Sequence, residues 1–315
     1  MTASNERGPI VVLLDGSELA EQAVPVAAAL AKRTDAELIL VHVHTPTAVE
    51  PIHVEGLPVI DENMRSLRRT HEQAYLDGAR ERLAAGARAS TVLLEGRVAS
   101  AVATHVGARA AQLLVLTTHG RSGFERAWLG SVADELTRIS PIPVLLIRPQ
   151  AAPSATRFRR ILVPLDESPL AETVVEHAVR LAKLEPEAEI VLLEILPDDS
   201  TPVLVPASLL GPSAASEERA RKQEGAARTY LDGIAARVRS AGLRATARIQ
   251  AARNVAATIL ETAQSEHVDL VALSTHGRSG LLRMALGSVA DKVVRASQTP
   301  VLLYRPLAST VAAAP

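Results

Sequence analysis

The sequence contains no cysteine, which excludes disulfides, thiolate metal sites and cysteine nucleophiles and fits a reducing compartment. Aromatic residues make up only 2%, so a platform on which nucleic-acid bases stack is not expected. Neither sign of charge is in excess, with 34 Lys and Arg against 35 Asp and Glu. A DNA or RNA partner, which ordinarily meets a basic stripe, therefore has no electrostatic basis here. No run of about 18 apolar residues occurs. The opening MTASNERGPI has no apolar signal core, so the expectation is a cytoplasmic protein without membrane contact.

Familiar catalytic motifs are missing too. HGRSG resembles a nucleophile elbow, but Phe124 and Leu281 stand where G-x-S-x-G needs its last glycine. Neither G-x-x-x-x-G-K-[ST] nor G-x-G-x-x-G is present. No base, nucleophile or lysine is evident near the segment singled out below, so at most slow ATP hydrolysis is expected of it.

What the sequence does have is a duplication. Thr118 to Pro149, THGRSGFERAWLGSVADELTRISPIPVLLIRP, returns at Thr275 to Pro306 as THGRSGLLRMALGSVADKVVRASQTPVLLYRP, with 21 of 32 positions identical. Each copy follows an apolar run, Leu113–Leu116 or Leu270–Leu273, that reads as a buried strand. Each then passes through a glycine-bearing loop to Gly130-Ser131 or Gly287-Ser288, where an amphipathic helix begins. A strand, a glycine loop and a helix N-terminus together favour an anion, through free N–H groups and the helix dipole.

The rest of the chain repeats as well. In the first half, strands are expected over Pro9–Asp15, Glu37–His44, Ala89–Glu95 and Pro143–Ile147. Helices are expected after Ser17 and over Glu62–Ala85, Ser100–Gln112 and Val132–Ile139, with a long loop over Thr45–Asp61. Pro149 to Thr156 is rich in Pro, Ala and Ser and has no periodicity. The domains are therefore read as 1–149 and 157–315, with 150–156 as the linker. In the second half, strands fall at Arg160–Asp166, Glu189–Ile195, Ala245–Gln250 and Val268–Ser274. Helices follow Ser168-Pro169 and run over Glu217–Ser240 and Val255–Ser265, with the long loop at Leu196–Ser216. Apolar strands alternating with helices imply an α/β fold, two tandem doubly wound five-stranded parallel sheets of Rossmann-like type. In such sheets ligands bind beyond the carboxyl ends of the strands, where strand order reverses. That brings Asp15 near the first glycine loop and Asp166 near the second.

On these residues the chain resembles a tandem universal stress protein, over nearly the whole of both halves. The family's nucleotide-binding members carry Gly, two residues, Gly, nine residues, then Gly and Ser or Thr. Gly120 with Gly130-Ser131, and Gly277 with Gly287-Ser288, match that pattern, while Thr117 and Ser274 stand where its first glycine falls. The resemblance implies an adenine nucleotide alpha hydrolase-like fold. It also implies ATP in each half, with Mg²⁺ on the phosphates when a metal is present, and a stress-response role exerted through a protein partner. It places the adenosine at Leu13, Leu14 and Asp15 or Pro164, Leu165 and Asp166, with Val43 or Ile195 lining the adenine. The glycine after the third strand is Gly96 in the first half, and Arg253 occupies the matching position in the second. The family's last strands often pair edge to edge, which implies an internal pseudo-dimer through Val144–Ile147 and Val301–Tyr304, with a homodimer of whole chains also open.

Several of these residues have a plainer reading beside the functional one. Ser131 and Ser288, with Asp134 and Asp291 three residues on, fit helix N-caps, and Val132 and Val289 then begin the helix. Asp15 and Asp166 can be caps or ribose contacts. Arg121 and Arg278 can be exposed loop residues or phosphate ligands. His119 and His276 are read as packing through a ring hydrogen bond, with no second ligand at metal spacing. His42 and His44, alternating on one strand, are read as buried neutral side chains. Two alternatives to a nucleotide-binding stress protein stay open, a nucleotide-free interaction scaffold and an ATP-using transferase of the same fold.

Overall fold

The computed structural model describes residues 8–45, 52–54, 57–59, 62–118, 129–149, 156–198, 214–275 and 286–306. The chain divides into two compact units, 1–156 with 303–315, and 157–302. His119, Gly120, Arg121, His276, Gly277 and Arg278 lie outside the described residues.

The first unit begins with β1 (Ile10–Leu13) and the short α1 (Glu18–Glu21), followed by α2 (Ala23–Thr34) and β2 (Leu38–His44). After β3 (Ile52–Val54) and β4 (Leu57–Val59) come α3 (Glu62–Leu83), β5 (Ala89–Glu95) and α4 (Val98–Ala108). The unit closes with β6 (Leu113–Thr117), α5 (Ser131–Ile139) and β7 (Val144–Ile147). Strand order is β5-β2-β1-β6-β7, and the paired strands run parallel. Every residue of β1, β2, β6 and β7 is buried, which for a strand requires cover on both faces. Inner-face residues Ala23, Val26 and Leu30 of α2 supply part of that cover.

One reading of the sequence is corrected here. Within Thr45–Asp61, read as loop, β3 and β4 pair antiparallel, Ile52 opposite Val59 and Val54 opposite Leu57. Three prolines masked the short alternation that makes this hairpin, and one of them, Pro58, sits in a two-stranded ribbon where a missing N–H is tolerated. The helix expected over Ser100–Gln112 starts earlier, at Val98, and ends at Ala108. Ala110 follows in the left-handed region at φ 46, which no helix interior admits.

The second half of the chain repeats the plan: β8 (Arg160–Leu165), α6 (Pro169–Ala182), β9 (Glu189–Pro197), α7 (Ala214–Ser240), β10 (Arg244–Ala252), α8 (Val255–Ser265), β11 (Leu270–Ser274), α9 (Ser288–Ala296) and β12 (Val301–Tyr304). Strand order is β10-β9-β8-β11-β12. Ser168 caps α6 by accepting the Ala171 N–H, with Pro169 in the first turn. Two residues past the end of α7, Gly242 has φ +86, the left-handed stop that glycine adopts without strain. A Cβ there would meet nothing within 4 Å, so Gly242→Ala carries only the backbone cost. It is expected to lower unfolding free energy in urea by about 1 kcal/mol.

His177, on α6, gives this unit an acid-sensitive element. Burial, with a smaller push from Arg180, lowers its imidazole from 6.5 to about 4. The unfolded chain then binds the proton more readily than the folded one. The stability held above pH 6.5 is lost as pH falls toward about 4. Between pH 7 and pH 5 the loss is about 2 kcal/mol, and a His177→Gln chain is expected to lack this part of the pH slope in thermal melts.

Candidate functional site

Strand order in the first unit turns back at β1, which lies between β2 and β6. The carboxyl ends of these three strands surround a cavity of about 290 Å³. Leu13, Leu14 and Asp15 reach it from β1, His42 and Val43 from β2, and Thr117 and Thr118 from β6. Gly130, Ser131 and Val132 form a further wall at the start of α5. The Gly130 N–H donates to the Thr118 carbonyl at 2.9 Å.

Gly130 is the N-cap of α5 and provides no side-chain cap. This corrects the capping role expected of Ser131, which is instead the first helical residue and is exposed. Asp134 donates its N–H to the Gly130 carbonyl at 2.8 Å, and its carboxylate pairs with Arg138 one turn on. Gly130 thus folds no side chain onto the early N–H groups of α5, and the helix dipole adds a positive bias at the cavity wall.

Asp15 has a local task. Its Oδ1 accepts from the Ser17 N–H at 2.9 Å and from the Ser17 hydroxyl at 2.6 Å. Ser17 in turn accepts the Ala20 N–H at 3.2 Å, starting α1. Asp166 and Ser168 repeat this in the second unit, at 3.1 and 2.6 Å. Both aspartates are therefore held rigidly at the strand end, with one oxygen engaged in the turn.

The second unit places Pro164 and Leu165 at the end of β8, Ile195 in β9 and Ser274 at the end of β11. Gly287 caps α9 without a side chain, Ser288 and Val289 follow it, and the Gly287 N–H reaches the Thr275 carbonyl at 2.8 Å. Ser288, like Ser131, is thus not the N-cap. Asp291 pairs with Arg295 at 2.8 Å, down the helix and away from its start.

The sequence pattern of the Universal stress protein family matches residues 6–148 and again 157–305. The chain belongs to the universal stress protein family. A tandem relative from Mycolicibacterium smegmatis is 27% identical over 310 residues, 94% of this chain and 97% of that one. The shorter universal stress protein YxiE of Bacillus subtilis is 29% identical over 144 residues, 44% of this chain and 97% of its own. Among solved structures, a universal stress protein from Archaeoglobus fulgidus covers 95% of this chain and 96% of its own, with TM-score 0.66 and 17% identity. At that identity the likeness shows the fold.

Among the described residues of this universal stress protein, no helix is long and apolar enough to cross a membrane. No group of three or more His, Asp or Glu side chains is placed to hold a metal among them either.

The cavity also takes in residues that the pattern did not single out as site residues. Ala20, Val98, Leu116, Thr118 and Ala133 line it, and the start of α4, marked only by Val98 after Gly96-Arg97, was the available signal. His42 was read as buried, and it is, at 8% exposure, yet it forms part of the cavity wall. Its Nδ1 lies 2.8 Å from the Leu14 carbonyl, and its ring packs edge-on to Tyr75 at 6.1 Å. His44 Nδ1 lies 2.7 Å from Glu72 Oε2, and Glu72 Oε1 lies 3.8 Å from His42 Nε2. Burial, then the nearby Glu21, hold the Tyr75 hydroxyl above its usual pKa. Glu21 is itself gripped by both contacts of Arg82 Nη2, at 2.8 and 2.9 Å. Glu172 and Arg237 make the same pair beside Tyr230, at 2.5 Å.

Proposed function

We propose that this tandem universal stress protein binds ATP or another adenine nucleotide at the carboxyl end of its parallel strands, and that the bound state governs contact with a protein partner in the stress response. The observation that carries the reading is the first-unit cavity. It joins an apolar floor to a helix start whose N-cap glycine brings no side chain, at the point where strand order reverses. Adenine fits the Leu13, Leu14 and Val43 end, the ribose hydroxyls fit Asp15, and the phosphates fit the N–H groups at Ser131 and Val132. A volume of about 290 Å³ is at the lower end for small-ligand clefts, about 300–1,000 Å³. Mg²⁺ would arrive on the phosphates and neutralise their charge.

Turnover is at most slow in this reading. Among the described residues, the two titratable groups of the wall are engaged, Asp15 with Ser17 and His42 with the Leu14 carbonyl. Equilibrium dialysis of the purified chain against ATP is the test, and binding below millimolar nucleotide is expected. No binding at millimolar ATP removes the proposal. It would favour the nucleotide-free scaffold, for which the buried, branched Thr117 on the cavity wall speaks.

A further inference from the structure

We propose that the two halves are not equivalent sites: the first holds the adenine nucleotide, and the second keeps the phosphate end but has lost the base and ribose end. The inference rests on the nucleotide reading above and says where in the chain it applies.

The phosphate ends are alike. Gly130 has φ −58 and ψ 146, and Gly287 has φ −56 and ψ 145. Each donates its N–H to the threonine that follows the preceding strand, at 2.9 and 2.8 Å. The base ends differ. The β1–β2 ladder sets Leu13 opposite Val41, and the β8–β9 ladder sets Pro164 opposite Leu193. One step further along, Glu194 therefore occupies the place of His42. The surroundings agree, since His42 packs on Tyr75 and Glu194, only 2% exposed, lies close enough to Tyr230 for its charge to raise that hydroxyl's pKa. The neighbours have changed with it: Leu196 stands for His44, and Ala227 for Glu72.

An imidazole can donate or accept, whereas an ionised carboxylate only accepts. Adenine's ring nitrogens are acceptors as well. Adenine's one donor is its exocyclic amine, so a carboxylate at this place can serve that group alone, and beside the ring nitrogens it sets lone pairs against lone pairs in a medium that screens poorly.

The strand end on the ribose side also differs in the same half. In the first, the β2–β5 ladder stops at His44 opposite Glu95. Gly96 then turns away at φ +120, and α4 begins without a side-chain cap. In the second, the ladder runs one step further, to Pro197 opposite Ala252. Arg253 lies 3.7 Å from Asp198 beyond that last pair, and Asn254 Oδ1 takes the Ala257 N–H at 3.2 Å. The start of α8 is satisfied by its own chain, where the start of α4 adjoins the cavity through Val98.

Titration calorimetry of the full chain with ATP, paired with photolabelling by azido-ATP and peptide mapping, decides the matter. One ATP per chain is expected, with label on first-half peptides and second-half binding at least tenfold weaker. His42→Glu is expected to abolish the bound equivalent and Glu194→Gln to preserve it, with circular dichroism confirming that both variants fold. Two equivalents of equal affinity, or label on second-half peptides, overturn the inference while leaving the nucleotide reading in place. No binding at all takes down both.

Discussion

Replacing Ser131 by aspartate is expected to weaken ATP binding by about 10- to 100-fold while leaving the melting temperature unchanged or slightly raised. Ser131 is exposed and is the first residue of α5, after a glycine that offers no side-chain cap. A carboxylate in that turn suits the helix dipole, by about 0.3–1 kcal/mol. The same carboxylate stands within a few ångströms of where the polyphosphate is proposed to lie. Two like charges about 4 Å apart repel by about 4 kcal/mol at the dielectric of a protein surface, and counterions reduce that to the one or two decades named. The two effects have opposite signs, so calorimetry with ATP and a thermal melt on one sample separate lost binding from lost folding. Ser288→Asp, the matching change in the other half, is expected to leave ATP affinity as it is. An unaltered affinity in Ser131→Asp would move the phosphates away from α5.

Leu231→Ala is expected to cost about 2–5 kcal/mol of unfolding free energy, measured in urea. α7 is long, but residues 218–226 are exposed throughout. Its hold on the sheet comes from Ala227, Leu231, Ile234, Ala235 and Val238, all buried at helical spacing. Leu231 is fully buried, as is Leu76 at the matching place on α3. Truncating it leaves a void in contact with the strands the helix covers, and close packing leaves little room to collapse around it. Gln223→Ala, on the exposed stretch of the same helix, is expected to stay within about 0.5 kcal/mol of the parent chain. A small loss at Leu231 would mean that α7 seats elsewhere.

The duplicated plan was legible because the signals were local and repeated. Buried parallel strands read as unbroken apolar runs, and Ser17 and Ser168 announced helix starts through their spacing to the following N–H. Of the residues picked out at the strand ends and the α5 start, Leu13, Leu14, Asp15, Val43, Thr117, Gly130, Ser131 and Val132 all line one cavity. Three things were not legible. The β3–β4 hairpin is too short to show a period among prolines. The cap at α5 was assigned to Ser131 because a serine with an acid three residues later is the common pattern, and only the backbone reveals that Gly130 holds that position. The pairing of His44 with Glu72 joins a strand to a helix 28 residues away, a distance over which spacing carries no signal.

The near-identity of Gly130 and Gly287 in backbone angles bears on how a duplicated gene ages. In the proposed reading, a phosphate grip made of main-chain amides tolerates drift in most neighbouring side chains, so both copies would retain its shape. Recognition of a base would depend on particular side chains, and there the exchange of imidazole for carboxylate, with its altered neighbours, would set the copies on separate paths.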